Sequence, residues 1–106
     1  MLAYPALFEP AGKGFVITFP AIPEAISEGE SAEEAMAYAI DALQTVLSEY
    51  MNRRRDIPQP RRVHGKNVRS VHLPALSEAR IGLYRAMRSK SVRKAEQARR
   101  IGCQKP

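Results

Sequence analysis

With 106 residues, 44% of them hydrophobic, the chain has room for one small domain or two very small ones, and for nothing larger. Its net charge of +6 conceals a split: residues 1–49 hold eight acids and one base, whereas residues 50–106 hold three acids and sixteen bases. No run approaches the ~20 apolar residues of a membrane span, the N-terminus lacks the basic and long apolar regions of a signal peptide, and the single cysteine, Cys103, excludes an internal disulfide, so a cytoplasmic protein is expected. A core this small gains from self-association, and a homodimer or higher homo-oligomer is the expected state.

In chain order, Leu2, Tyr4, Ala6 and Phe8 alternate with Ala3, Pro5 and Leu7, and Phe15, Ile17 and Phe19 alternate with Val16 and Thr18, the period of two that marks strands. The glycine-rich run Pro10-Ala11-Gly12-Lys13-Gly14 joins them as a hairpin. Pro5 has no N–H to give a ladder, which predicts an edge or irregular position for the first strand. Pro20 and Pro23 stop the second strand, Ala25 to Glu28 reads as a short third, and Gly29 turns the chain toward Ser31.

Ser31-Ala32-Glu33-Glu34 reads as a capping box, the start of a helix running to Met51. Met36, Ala39, Ile40, Leu43, Val46, Leu47, Tyr50 and Met51 recur at steps of three and four, which gathers them in one stripe, while Glu34, Asp41, Thr45 and Glu49 face away. Acids in the first turn and Arg53 to Arg55 beyond the last complement the helix dipole. The expected fold class is α+β: a small antiparallel sheet of three strands with one long helix packed on it, followed by a helical C-terminal segment.

Asn52 to Lys66 contains Pro58, Pro60, Gly65 and five arginines and reads as a linker. Val68 to Leu73 alternate as a short strand ended by Pro74, which can return to the sheet or pair with another copy. Leu76, Ala79, Leu83, Ala86 and Met87 then repeat at helical spacing up to Ser89. Ser91 is a cap for a second helix whose buried face is Ala95, Ala98 and Ile101 and whose end is Gly102. Two short helices and a tight turn read as the front of a helix-turn-helix. The expected organisation is an α+β domain over 1–52, an arginine- and proline-rich linker over 53–66, and over 67–106 a short strand with an incomplete helix-turn-helix or dimerisation segment.

The basic half suits a polyanion, most simply nucleic acid, and the acidic half suits a basic protein. His64, His72 and Cys103 have no recognised zinc-ligand spacing, and the chain has no phosphate loop or dinucleotide fingerprint, so neither metal nor cofactor is expected.

The run from Gly14-Phe15-Val16-Ile17-Thr18-Phe19-Pro20 through Pro23, followed by Ser27-Glu28-Gly29-Glu30-Ser31-Ala32-Glu33-Glu34-Ala35, resembles the N-terminal signature of HicB-type antitoxins. Val71-His72-Leu73-Pro74 through Lys94 to Gly102 resembles the helix-turn-helix branch of that family. The resemblance implies an antitoxin that binds and occludes a small mRNA-cleaving toxin of the HicA type and represses its own operon, and an N-terminal domain similar to a pared-down RNase H fold. It implies a toxin-binding surface of Glu9, Glu24, Glu28, Glu30, Glu33 and Glu34. It also implies a phosphate-backbone contact made by Ser91, Arg93, Lys94, Arg99, Arg100, Gln104 and Lys105. Two features depart from the family pattern. Gln97 stands where leucine is usual, and the sequence stops at Cys103-Gln104-Lys105-Pro106, where a recognition helix is expected to start, so operator binding is expected only when that motif is complete. An RNase H active site needs carboxylates gathered around two metal ions. The first strand offers Tyr4, Pro5 and Ala6 in its middle and Glu9 only at its end, so no catalysis is expected. The alternative reading is a DNA-binding transcriptional repressor, or a fragment of one, without a toxin partner.

Overall fold

The computed structural model describes residues 2–102, with side chains described through residue 90. Its elements are β1 (Ala3–Ala11), β2 (Gly14–Thr18), β3 (Ile26–Gly29), α1 (Ala32–Asn52), β4 (Val68–His72) and α2 (Ala75–Gly102). The fold is α+β, as expected, but the antiparallel sheet has four strands in the order β3-β2-β1-β4.

β1 holds this sheet together, and its two prolines show how. Its first half pairs with β4, from Ala3 opposite His72 to Leu7 opposite Val68, and its second half pairs with β2, from Leu7 opposite Thr18 to Ala11 opposite Gly14. Phe8 N–H donates to the Asn67 carbonyl at 2.8 Å, and Leu73 N–H donates to the Leu2 carbonyl, so even-numbered residues of β1 turn their backbone groups toward β4. The nitrogen of Pro5 therefore points to the β2 side at a level where β2 has already ended, and that of Pro10 points to the β4 side beyond Asn67. Neither proline removes a ladder bond. Pro5 was expected at an edge or irregular position: β1 is central in the sheet, and Pro5 is at a local edge, pairing with Ser70 on the β4 side while its nitrogen faces the β2 side, where its half of the strand has no neighbour.

Tyr4, Ala6 and Phe8 of β1, Ile17 of β2 and Val71 of β4 share the buried face with Phe19, Ile22 and Ala25. Against them α1 buries Ala35, Ala39, Leu43, Leu47 and Tyr50, while Met36, Ile40, Val46 and Met51 flank this row as partly buried neighbours. The helix starts as its sequence requires, with Glu34 N–H donating to Ser31 Oγ at 3.1 Å. Its end, expected at Met51, falls at Asn52 and lacks the glycine that commonly stands there. Arg53 caps it, Arg54 adopts a left-handed φ of 55°, Arg54 N–H donates to the Met51 carbonyl, and Arg55 N–H donates to the Tyr50 carbonyl. This is a Schellman motif with arginine in the position that glycine usually takes.

The stretch expected as a linker is anchored over its first residues. Ile57 is buried, Tyr4 Oη donates to the Pro58 carbonyl at 2.7 Å, and three residues of α2 hold the same segment. Tyr84 Oη donates to the Arg55 carbonyl, Arg85 donates to the Ile57 and Pro58 carbonyls, and Arg88 donates to Asp56 Oδ1 and to the Arg54 carbonyl. With Ile81 buried and Gln44 Nε2 donating to Ser77 Oγ, this clasp fixes the first half of α2 beside α1.

α2 is one continuous helix, where two helices separated by a turn at Ser89 to Ser91 were expected. No glycine or proline stands at 89–91, and serine costs a helix only about 0.5 kcal/mol, so nothing there forces a break. The side chains of Ala95, Ala98 and Ile101 lie outside the described residues.

Replacing Arg54 by glycine removes the left-handed strain and leaves the carbonyl that Arg88 grips. Arg54→Gly is expected to raise the unfolding free energy by about 0.5–1 kcal/mol, measured by urea denaturation. A loss of stability would show that the arginine side chain holds this turn.

Candidate functional site

Where the β1–β2 turn, β3 and the start of α1 meet, glycine lets three backbones crowd together. A Cβ on Gly14 would lie 2.1 Å from the Gly29 carbonyl oxygen, and one on Gly29 would lie 2.5 Å from the Ala35 nitrogen. This close approach leaves a cleft of about 730 Å³ beside it, walled by Phe15 and Tyr38 and rimmed by Glu28, Glu30 and Glu34. Lys13 is the base on its lining. Glu34 and Tyr38 stand one helical turn apart on α1, and the Tyr38 ring is 50% exposed. Three carboxylates around an exposed aromatic ring in a concavity can hold a cationic side chain by ion pairing and by stacking on the ring.

The six acids expected to form one surface are divided. Glu28, Glu30 and Glu34 line the cleft. Glu9 lies two strands from Glu28 on the same sheet face, because both are opposite Val16. Glu33 is exposed on the first turn of α1 without lining the cleft. Glu24 is elsewhere. It accepts a 2.5 Å hydrogen bond from Tyr50 Oη and lies 3.5 Å from an Arg55 nitrogen, near the other end of a helix on which Tyr50 is about 24 Å beyond Glu34. The Arg55 guanidinium also lies over the Tyr50 ring, 4.3 Å from its centre. The Tyr50 hydroxyl, the Glu24 backbone and Arg55 hold the Glu24 carboxyl below its ordinary range, whereas the hydrogen bond to Glu24 and burial push the Tyr50 hydroxyl up. This group closes the end of the core.

Of the residues expected near a phosphate backbone, Ser91, Arg93, Lys94, Arg99 and Arg100 fall in α2 where only the backbone is described, and Gln104 and Lys105, like Cys103, lie outside the described residues. His64 and His72 are exposed, and among the described residues no three His, Cys, Asp or Glu side chains converge on a metal-sized site. Among the described residues no helix is long and apolar enough to cross a membrane. Phe15 and Tyr38 were not singled out as site residues from the sequence. The signal for Tyr38 is its place on α1, an aromatic residue one turn after Glu34 and off the buried stripe.

This architecture and its signature have counterparts among known proteins. Residues 3–82 match the pattern of a family described as the HicB-like antitoxin of bacterial toxin-antitoxin system. The chain belongs to that family. The match takes in the four-stranded sheet, α1, the cleft and the start of α2. Among its relatives, Antitoxin HicB of Pseudomonas fluorescens is 42% identical over 85 residues, which cover 80% of this chain and 58% of the relative. Antitoxin HicB 2 of Photorhabdus laumondii is 39% identical over 95% of this chain and 70% of its own length, and Antitoxin HicB of Escherichia coli K12 is 32% identical over 95% and 73%. This HicB-like chain thus spans between about three fifths and three quarters of these relatives' lengths.

The Glu24–Tyr50 bond has a pH signature. A carboxyl held low in the folded state stabilises above its unfolded value, and that contribution disappears as pH falls through the folded one. A phenol held high stabilises below its unfolded value, and its contribution disappears as pH rises through the folded one. Tyr50→Phe is expected to lower stability by about 1 kcal/mol at neutral pH, and Glu24→Gln to flatten the acid limb of the stability profile. An acid limb unchanged in Glu24→Gln would show that other carboxyls carry it.

Proposed function

We propose that this chain neutralises a small, basic, mRNA-cleaving toxin of the HicA type by occluding its catalytic surface, and that the cleft at Glu28, Glu30 and Glu34 is the point of contact. The observation that carries the reading is the juxtaposition of three carboxylates with the exposed Tyr38 ring in one concavity. An RNA-cutting protein binds its substrate's phosphates with Arg and Lys, and the cleft offers those side chains carboxylates in place of phosphates. The acidic half of the chain steers a basic partner toward this end, and Tyr38 supplies a rigid apolar anchor at little entropic cost. Glu9 and Glu33 act at the rim by long-range attraction. Neutralisation of this kind needs no chemistry from the antitoxin itself.

The basic half suits a second role, autorepression of the operon, in which Ser91, Arg93, Lys94, Arg99, Arg100, Gln104 and Lys105 would meet the phosphate backbone once the helix-turn-helix is complete. The sixteen bases of residues 50–106 also favour a second reading, a DNA-binding repressor that acts without a toxin.

The test is co-purification with a co-expressed small basic toxin of the HicA type, followed by RNA cleavage with and without this chain. Glu28→Lys/Glu30→Lys and Tyr38→Ala are each expected to weaken toxin binding at least about 100-fold and to leave the circular dichroism spectrum and melting temperature unchanged, since these side chains are exposed. Undiminished affinity in both variants would rule out the cleft, and a chain that binds operator DNA but no toxin would favour the repressor reading.

A further inference from the structure

β3 is one of the two edges of the sheet, and the backbone of its outer side is unpaired. The alternation fixed at β1 carries across the ladders. Odd-numbered residues of β1 face β2, so Phe15 and Ile17 of β2 face β3, where Gly29 and Ser27 bond to them. The N–H and C=O groups of Ile26 and Glu28 therefore point away from the sheet, and no group among the described residues hydrogen-bonds to them. Edge strands are commonly blunted by a proline, a lysine or a bulge. Residues 26–29 contain neither residue, and their register with β2 is unbroken. On the open face of the sheet Ile26, 63% exposed, ends a row of directly paired residues that crosses all four strands, Val68, Leu7, Thr18 and Ile26, whose other three members are partly buried. Glu28, two residues on along the same face, lines the acidic cleft, so this edge runs into it.

We propose that an extended segment of the basic toxin adds to β3 as a fifth strand and enters the cleft along this edge. The inference rests on the toxin reading above and goes beyond it in giving the backbone a part. Carboxylates and a ring hold a cation but leave the direction of its chain open, whereas main-chain bonds to Ile26 and Glu28 fix the register of the incoming segment. Side chains two residues apart share a face about 6.6 Å from one another. The segment that fits therefore carries an apolar residue beside Ile26, which lengthens the cross-sheet row, and an Arg or Lys two places along it beside Glu28. Charge selects this occupant. A second copy of β3 would bring Glu28 against a strand of the same sign, which disfavours pairing of the edge with itself. The opposite edge, β4, follows Arg61, Arg62 and Lys66 and contains Arg69, so a basic segment is repelled there and attracted to β3.

The test is amide hydrogen exchange of the whole chain, free and saturated with a toxin of the HicA type. In the free chain the Ile26 and Glu28 amides are expected to exchange quickly and those of Ser27 and Gly29 slowly; in the complex Ile26 and Glu28 are expected to slow at least about tenfold. A pair of variants separates backbone from charge. Glu28→Gln removes the carboxylate alone, whereas Glu28→Pro also removes an N–H that the native ladder does not use, so the fold tolerates it and toxin affinity is expected to fall about tenfold further, the worth of one hydrogen bond. Should the proline lower the melting temperature, the exchange rates of the wild-type chain decide alone. Unchanged exchange at Ile26 and Glu28 in a complex that forms, or equal affinity of two folded variants, would overturn the added strand and leave the cleft in place. A toxin that ignores the wild-type chain, or that binds undiminished to both Glu28→Lys/Glu30→Lys and Tyr38→Ala, would remove the cleft and the added strand together.

Discussion

The division of β1 into two half-ladders is the constraint on which the rest of the molecule depends. A nine-residue strand containing two prolines cannot satisfy a full neighbour on each side, and β1 does not try to: β4 takes Ala3 to Leu7 and β2 takes Leu7 to Ala11. The offset places β4, and with it the start of α2, beside one end of β1, and the β2–β3 ladder beside the other. The acidic cleft forms where β3 meets the first turn of α1. The clasp on residues 54–58 forms where Tyr4 and α2 meet the chain that leaves the last turn of α1. α1 supplies most of the cover for the apolar face of the sheet, with Leu43 and Leu47 fully buried, and α2 adds Ile81 to the same core.

Electrostatics divides the chain in the same sense. Acids concentrate in the first 49 residues and bases in the remainder, yet several acids and bases that face each other are already satisfied internally: Glu24 by Tyr50 and Arg55, Asp56 by Arg88, Glu49 by Arg53. What remains outward at the cleft is acidic, and what borders the outer face of α2 is basic. The chain belongs to the HicB-like antitoxin family, and in the proposed function the acidic field is the one that faces a basic partner.

How much of this could be read from the residues depends on whether the controlling contact is local. The start of α1 could, because the Ser31 cap is an arrangement of neighbours, and so could the hairpin and the buried stripe, which follow from period. The partner of β4 could not. Alternation in Val68 to His72 states that a strand forms but not what it pairs with, and its partner, the edge of β1 away from β2, lies far back along the chain. The clasp was invisible for a different reason: Tyr84, Arg85 and Arg88 bind mainly backbone carbonyls, which have no residue type to reveal them. Glu24 looked like a member of the acidic surface because the Tyr50 that claims it lies 26 residues away. Charge alone gathers Glu28, Glu30 and Glu34 correctly with one another but gives no hint of the Tyr38 wall that turns them into a cleft.

In the proposed function a basic toxin engages the cleft rather than any other surface. Titrating the isotope-labelled chain with that toxin and following its amide resonances tests this directly. The largest perturbations are expected on Gly14, Phe15, Gly29, Glu30 and Tyr38, with Leu76, Leu83 and Met87 unmoved. Perturbations confined to α2 or to the β1–β4 ladder around Ala6 and Ser70, with the cleft amides unchanged, would rule this out.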